Sequence, residues 1–349
     1  MATGDGNTDG YYRLTKRKPV NMKLATLKNG TRDGQLVLVS KDLSTFAPVT
    51  ELASTMQALL DRWDELAPQM VPTYQELNAG RVAHARAFLP EQAMAPLPRA
   101  YQWCDGSAYL SHAELVRKTR HAEMPEFLYH DPLMYQGASD TFIGSRDDIE
   151  VADEAWGIDL EAEIAVITGD VPMGVAASDA GRYIRLVTVV NDVSLRNLIP
   201  HELSKGFGFF HSKPSTAFSL VAVTPDEIQP HWDGAKLNLP IVSHVNGKEI
   251  GHPHAGTDLN FDFPALIAHA ARTRRLAAGT VIGSGTVSNR DPSVGSSCLA
   301  ERRTLEIIAS GKPTTDYLRF GDTVQIDVSD PEGSSVFGAI RQKVVRYRA

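Results

Sequence analysis

The stretch that most constrains this chain is Gly157–Gly169, G-I-D-L-E-A-E-I-A-V-I-T-G. Two glutamates, Glu161 and Glu163, stand two residues apart in a run otherwise built of Leu, Ala, Ile and Val. On a β-strand successive side chains alternate faces, so both carboxylates project to one side while Leu160, Ala162 and Ile164 project to the other. Like charges this close repel, and burying even one without a partner is costly. A divalent cation relieves both problems. As a bare pattern the same run also fits an edge strand with a solvated acidic face, the ordinary situation for charged groups.

The rest of the composition narrows the function classes. The chain has 349 residues, enough for a large core and two domains. A net charge of −7, with no basic run or aromatic-basic platform, argues against a nucleic-acid binder. Cys104 and Cys298 lie far apart in no metal-binding spacing, so both read as free thiols in a reducing compartment. No apolar run approaches a membrane span and no signal-peptide pattern opens the chain, which gives a cytoplasmic expectation.

Residues 1–21 lack periodicity and read as a mobile leader. Residues 22–98 then form a small N-terminal domain, and a Pro-rich connector at 90–98 leads into a larger domain over 99–349. K-L-A-T-L-K, Asn29-Gly30 and Q-L-V-L-V-S predict a β-hairpin. Leu52, Met56, Leu59, Leu60, Trp63 and Leu66 recur at helical spacing, with Thr50 as N-cap and Pro68 and Pro72 marking the end. A second short helix is expected over Thr73–Asn78 and a strand near Val82–Phe88. Beyond the connector, strand-like runs dominate, among them Ile158–Thr168, Ile184–Val190, Ala217–Val223, Leu237–Val245, Val281–Val287, Thr304–Ala309 and Thr323–Val328. Helices are expected near His112–Arg120 and Phe263–Arg274.

Two further carboxylates join the glutamate pair. Asp192 ends the apolar run I-R-L-V-T-V-V-N-D, and Asp105 sits in W-C-D-G-S, with His112 seven residues later. Carboxylates converging from separate segments suit a hard cation such as Mg²⁺ or Ca²⁺, or Mn²⁺. Several other motifs carry less. H-E-L at His201–Leu203 lacks the second histidine of a zinc protease, and G-S-G-T at Gly283–Thr286 lacks the Lys-Ser/Thr of a phosphate loop. His252-Pro-His254 reads as a turn with exposed rings. Phe207-Gly-Phe-Phe210 reads as core or as the wall of a substrate cleft.

Taken in order, L-E-A-E-I-A-V-I-T-G-D, V-V-N-D-V-S-L-R-N, F-F-H-S-K-P and G-S-G-T-V-S-N resemble the fumarylacetoacetate hydrolase superfamily over the segment from Tyr101 onward. P-L-M-Y-Q-G at Pro132–Gly137 resembles the P-x-x-Y-x-G segment of fumarylacetoacetase itself. The resemblance implies a mixed α/β, β-rich fold: a mixed-β roll preceded by a small β-containing N-terminal domain, assembled as a homodimer. It implies metal ligands Asp105, Glu161, Glu163 and Asp192, and a catalytic His112. It pairs that histidine with Glu301, for which Glu114 is a rival, and places Lys213 beside the metal and the substrate oxygens. Tyr135 and Thr286 would touch substrate, and Arg196 would answer a substrate carboxylate or serve as an ion-pair partner. Ser107 stands where the family has a tyrosine, and Glu202 or Ile199 falls near the position of a family glutamine.

The implied activity is metal-dependent hydrolysis of a C–C bond in a β-diketo acid, with fumarylacetoacetate giving fumarate and acetoacetate, as in tyrosine breakdown. Such a substrate chelates a divalent cation, a histidine has an unperturbed pKa suited to deprotonating water, and Lys213 is a compact cation suited to an oxyanion. Acylpyruvate hydrolysis, or decarboxylation or tautomerisation of an oxo-acid, is the alternative within the fold. A non-catalytic binding protein is the alternative outside it.

Overall fold

The computed structural model describes residues 19–118 and 124–348. Residues 1–18 of the expected leader, and the end of the expected helix at Thr119–Arg120, lie outside the described residues. An eleven-stranded mixed sheet forms the spine. Its strands run in the spatial order Arg86–Ala87, Thr45–Pro48, Gln35–Val39, Lys23–Leu27, Ala222–Val223, Ile184–Asn191, Ala162–Thr168, Thr280–Gly283, Gln102–Gly106 and Met134–Gly137, with Ala217–Phe218 also paired to Ile184–Asn191. The sheet is continuous across the 90–98 connector, because Lys23 and Leu24 register with Val223 and Ala222. A second sheet, five strands wide, runs Lys248–Gly251, Val242–Val245, Thr323–Asp327, Ile340–Arg346 and Ile149–Val151. This is the expected mixed, strand-rich architecture.

The Ala162–Thr168 strand is central rather than at an edge, which corrects the solvated reading of its acidic pair. It pairs antiparallel with Ile184–Asn191 on one side and with Thr280–Gly283 on the other, and each of its residues is buried. Its alternation divides two cores. Ala162, Ile164 and Val166 join the cluster that contains Val324, Ile326 and Ile340 of the second sheet. Ala165 and Ile167 face the other way, among Met56, Leu59, Met70 and Tyr74 of the N-terminal helices. A strand covered on both faces reads as a continuous apolar run. Glu163 interrupts that run on the second face.

Several elements differ from expectation for identifiable reasons. The N-terminal hairpin forms between Lys23–Leu27 and Gln35–Val39, but a longer loop, with Gly30 and Gly34 at positive φ, replaces a two-residue turn. Thr55, not Thr50, caps the first helix, accepting from the Ala58 N–H at 3.2 Å. Pro68 and Pro72 lie inside Trp63–Asn78, so the expected Thr73–Asn78 helix is the tail of this one. Trp63, Leu66, Ala67, Met70, Tyr74 and Leu77 bury one face of it, and that burial outweighs the two missing hydrogen bonds. The run Thr304–Ala309 is not a strand. It belongs to the helix Leu299–Ser310, which ends at Gly311 in the left-handed conformation. Val82–Phe88 yields only the short strand Arg86–Ala87, and Leu237–Val245 only Val242–Val245, after Pro240.

Candidate active site

Three backbone registers deliver the acidic residues to one place. Asp105 lies opposite Gly283 on one side and Tyr135 on the other. Glu163 lies opposite Val190, two residues before Asp192. Glycine at 283 is required here: a Cβ would lie 2.4 Å from Asp105 Oδ1. Gly285, at φ +75°, donates its N–H to the same oxygen at 3.0 Å. The G-S-G-T run thus makes room for a carboxylate rather than cradling a phosphate.

Asp105, Glu163 and Asp192 each bring a carboxylate oxygen within 4.8 Å of the others, and all three are buried. Both oxygens of Glu163 are inaccessible to water and have no hydrogen-bond partner. Burial, then Asp105, Asp192 and Glu161, raise the Glu163 carboxyl well above the carboxylate range. Burial, then Asp192, push Asp105 up to about 8. Three buried carboxylates with an orphaned member are short of positive charge, and an all-oxygen donor set fits a hard divalent cation.

Glu161 stands beside this trio with both oxygens on cations. Its Oε2 accepts from Lys213 Nζ at 2.5 Å, and its Oε1 pairs with Arg196 Nη2 at 2.7 Å. Burial opposes ionisation, but Arg196 and Lys213 hold the Glu161 carboxyl well below its usual range. Lys213 also donates to Asp192 Oδ2 at 2.6 Å and Ser194 Oγ at 2.8 Å, so its three protons are engaged. Burial would lower the Lys213 ammonium, but Asp192 and Glu161 raise it. Arg196 donates from Nε to Asp159 Oδ2 at 2.8 Å, and Asp159 accepts the Leu299 and Ala300 N–H groups of the Leu299–Ser310 helix. Of the two roles expected for Arg196, the ion-pair role is the one its contacts fill.

His112 Nδ1 lies 2.9 Å from Glu301 Oε2. Glu301 Oε1 accepts from Ser288 Oγ at 3.0 Å, and Ser111 Oγ donates to Ser288 Oγ at 3.0 Å. The rival Glu114 instead takes Arg290 through two 3.0 Å hydrogen bonds. Tyr135 donates to Asp192 Oδ2 at 2.6 Å and meets Phe209 edge-on, with centroids 5.3 Å apart. A cavity of about 430 Å³ is lined by the polar side chains of Asp105, His112, Glu161, Arg196, Lys213 and Thr286 and by the apolar ones of Leu133, Met134, Ile199, Leu203 and Phe209.

Sequence reasoning missed the Glu202 brace. Its carboxylate accepts the Phe210, His211 and Ser212 N–H groups and the Ser212 hydroxyl, fixing the turn that delivers Lys213. Burial opposes ionisation, but these donors bring the Glu202 carboxyl down to about 2. Ser107 and Ile199 border the cavity. Of the aromatic run, only Phe209 lines this cavity, while Phe207 and Phe210 are exposed rather than core. His252 pairs with Glu249 at the surface, as a turn histidine would. Both cysteines are free and buried, and among the described residues no helix is long and apolar enough to cross a membrane.

Relatives bear on what this geometry serves. The chain is 26% identical over 244 residues to the oxaloacetate tautomerase YisK of Bacillus subtilis, covering 69% of this chain and 70% of that one. It is 26% identical over 312 residues to the mitochondrial oxaloacetate tautomerase Fahd2a of Rattus norvegicus, covering 87% and 83%. In fold it matches maleylpyruvate hydrolase from Sphingobium sp. SYK-6, solved with manganese(II) and pyruvate. The TM-score is 0.63 at 17% identity, over 94% of this chain and all of that one. Residues 22–99 match the fumarylacetoacetase N-terminal domain 2, and residues 102–345 match the fumarylacetoacetate (FAA) hydrolase C-terminal domain. The chain therefore belongs to the fumarylacetoacetate hydrolase family.

Proposed function

We propose that this protein is a divalent-metal-dependent hydrolase that cleaves a C–C bond in a β-diketo acid. The observation that carries this reading is Glu163, a buried carboxylate with two orphaned oxygens, grouped with Asp105 and Asp192 next to a cavity that Asp105, Glu161 and His112 line. Asp105, Glu163 and Asp192 would hold the cation, with Glu161 as the fourth carboxylate at its edge. A divalent cation there supplies Lewis acidity toward the two substrate oxygens and the enolate charge.

The chain's own groups do the rest. His112, with Nδ1 on Glu301, has Nε2 left to take a proton from water as its oxygen attacks the acyl carbonyl. Glu301 orients the ring and stabilises the imidazolium. When the C–C bond breaks, the electron pair goes to the enolate, and His112 returns the proton to its carbon. Lys213 holds Glu161 and Asp192 in place and presents positive charge beneath the developing oxyanion. Thr286 and Tyr135 border the substrate. Fumarylacetoacetate has the required diketone head, though its acyl arm ends in a carboxylate. A homodimer belongs to the same proposal and is checked by light scattering.

The test follows loss of diketone absorbance with fumarylacetoacetate and acetylpyruvate, before and after EDTA. Turnover is expected to vanish on metal removal and return with Mg²⁺ or Mn²⁺. The His112→Ala variant is expected to bind metal while losing turnover. Turnover indifferent to EDTA would sink the reading. The two oxaloacetate tautomerase relatives favour a second reading, enol–keto isomerisation at the same cluster. Product analysis separates them, because isomerisation conserves mass and hydrolysis adds water.

A further inference from the structure

We propose that the acyl arm of the substrate is uncharged and apolar, and that Leu203, with Leu133, Ile199 and Phe209, selects it. The inference rests on the preceding reading only in placing the diketone head over the carboxylates. The cavity is lined by Leu133, Met134, Ile199, Leu203 and Phe209 as well as by polar groups, and its cationic side chains, Lys213, Arg196 and His112, are all committed to partners. Lys213 Nζ is engaged by Glu161, Asp192 and Ser194. Arg196 is engaged by Asp159 and Glu161, and His112 by Glu301. A carboxylate carried on the arm would leave water for Leu133, Met134, Ile199, Leu203 and Phe209, with no uncommitted cation among the described lining residues. Such a transfer is unfavourable, whereas an alkyl or aryl arm gains from it.

Exposure of the apolar lining points the same way. Leu203 is 48% exposed and Leu133 50% exposed, although both border the cavity. An apolar arm would cover them. Two exposed arginines, Arg272 and Arg274, border an adjoining surface cleft of about 510 Å³ that shares Met134, Tyr135, Gly208 and Phe209 as its wall. Arg272 there pairs with Asp131 at 3.2 Å.

The experiment compares 2-oxohexanoate with 2-oxoadipate, two 2-oxo acids of equal length that differ in a terminal methyl or carboxylate. Each is titrated calorimetrically into the Mn²⁺-loaded protein, a readout independent of turnover. The wild type is expected to bind 2-oxohexanoate about tenfold more tightly or better. Leu203→Arg places a cation at a half-exposed position, where folding is insensitive, and is expected to reverse the preference by about tenfold. Equal or tighter binding of 2-oxoadipate by the wild type overturns the proposal, and Arg274→Ala then shows whether the adjoining cleft holds the carboxylate. Binding of neither acid overturns it as well. Selective binding without diketone hydrolysis would sink the hydrolase reading and leave the arm assignment standing.

Discussion

Asp159 and Glu161 pair with Arg196 and Lys213, while Asp105, Glu163 and Asp192 crowd together, and of these three Asp192 alone receives an ion pair among the described residues, from the shared Lys213. Both groups are buried, and Asp159, Glu161 and Glu163 alternate along one stretch of chain. The first is a closed arrangement in which every carboxylate has a cation, so its charges hold the turn after Asp192 to the Leu299–Ser310 helix. The second leaves Glu163 without a partner. A fold tolerates such a deficit where something bound meets it. The difference separates scaffold from site more sharply than residue type does, since both groups are acidic residues on strand ends.

Glu163→Gln tests the open group and carries the largest expected effect. Removing one ligand should lower Mn²⁺ affinity by more than the 10–100-fold typical of outer-shell changes, and turnover by about 10³-fold. The same substitution removes a carboxyl that must take up a proton to be buried without a metal, so the metal-free variant should be more stable than metal-free wild type by about 1–3 kcal/mol. A metal-free melting temperature that falls instead would break the comparison. Arg196→Met tests the closed group. Leaving Asp159 and Glu161 without their guanidinium should cost about 3–5 kcal/mol of stability, part of it recovered by adding Asp159→Asn. Chemical denaturation reads both variants. A cost below about 1 kcal/mol would mean that the closed group is not a scaffold.

Lys23 sharpens the contrast with a cation in place of an anion. It is 6% exposed and donates to the Val336 carbonyl at 2.8 Å, with no carboxylate in contact among the described residues. Burial lowers its pKa from 10.5 to about 8. The unfolded chain therefore binds more protons than the folded one between pH 8 and 10.5, and stability rises with pH across that window. Relative to Lys23→Met, the wild type should gain about 2–3 kcal/mol from pH 7.5 to pH 10. A pH-independent difference would show that Lys23 has a counter-ion after all.

Much of the site was legible in the sequence because its geometry follows simple periods. E-x-E on a strand and an aspartate at the end of an apolar run each carry a position that alternation or strand length explains, whereas the interval from Asp105 to His112 took its meaning from the family resemblance. The rest was hidden by contacts with no local signature. The Leu299–Ser310 helix reads as β because Thr304, Ile307 and Ile308 are β-branched, and because a buried acid, Glu301, interrupts its apolar stripe. Its cap is Cys298, whose sulfur accepts from the Glu301 N–H at 3.4 Å, and cysteine is not a usual cap. Glu202 stands in an H-E-L that is no metal motif and near the position of a family glutamine, and nothing local shows that it accepts from a turn eight to ten residues away. Neighbours brought together by a loop leave no period to read.

Ser288 is the quietest member of the site and gives the smallest effect. Its hydroxyl donates to Glu301 Oε1, the oxygen not facing His112, and is itself held by Ser111. Glu301 is 1% exposed, so no bulk water replaces a lost donor. Ser288→Ala removes one hydrogen bond to a buried carboxylate, worth about 1–1.5 kcal/mol, and loosens the ring that Glu301 orients. A positioning role predicts a kcat about 5–10-fold lower at unchanged KM, with Ser288→Thr restoring most of it. A change confined to thermal stability, with kcat intact, would make the Ser111–Ser288 chain structural support. The scaffolds that reach the chemistry would then be the closed charge group and the Glu202 brace behind Lys213.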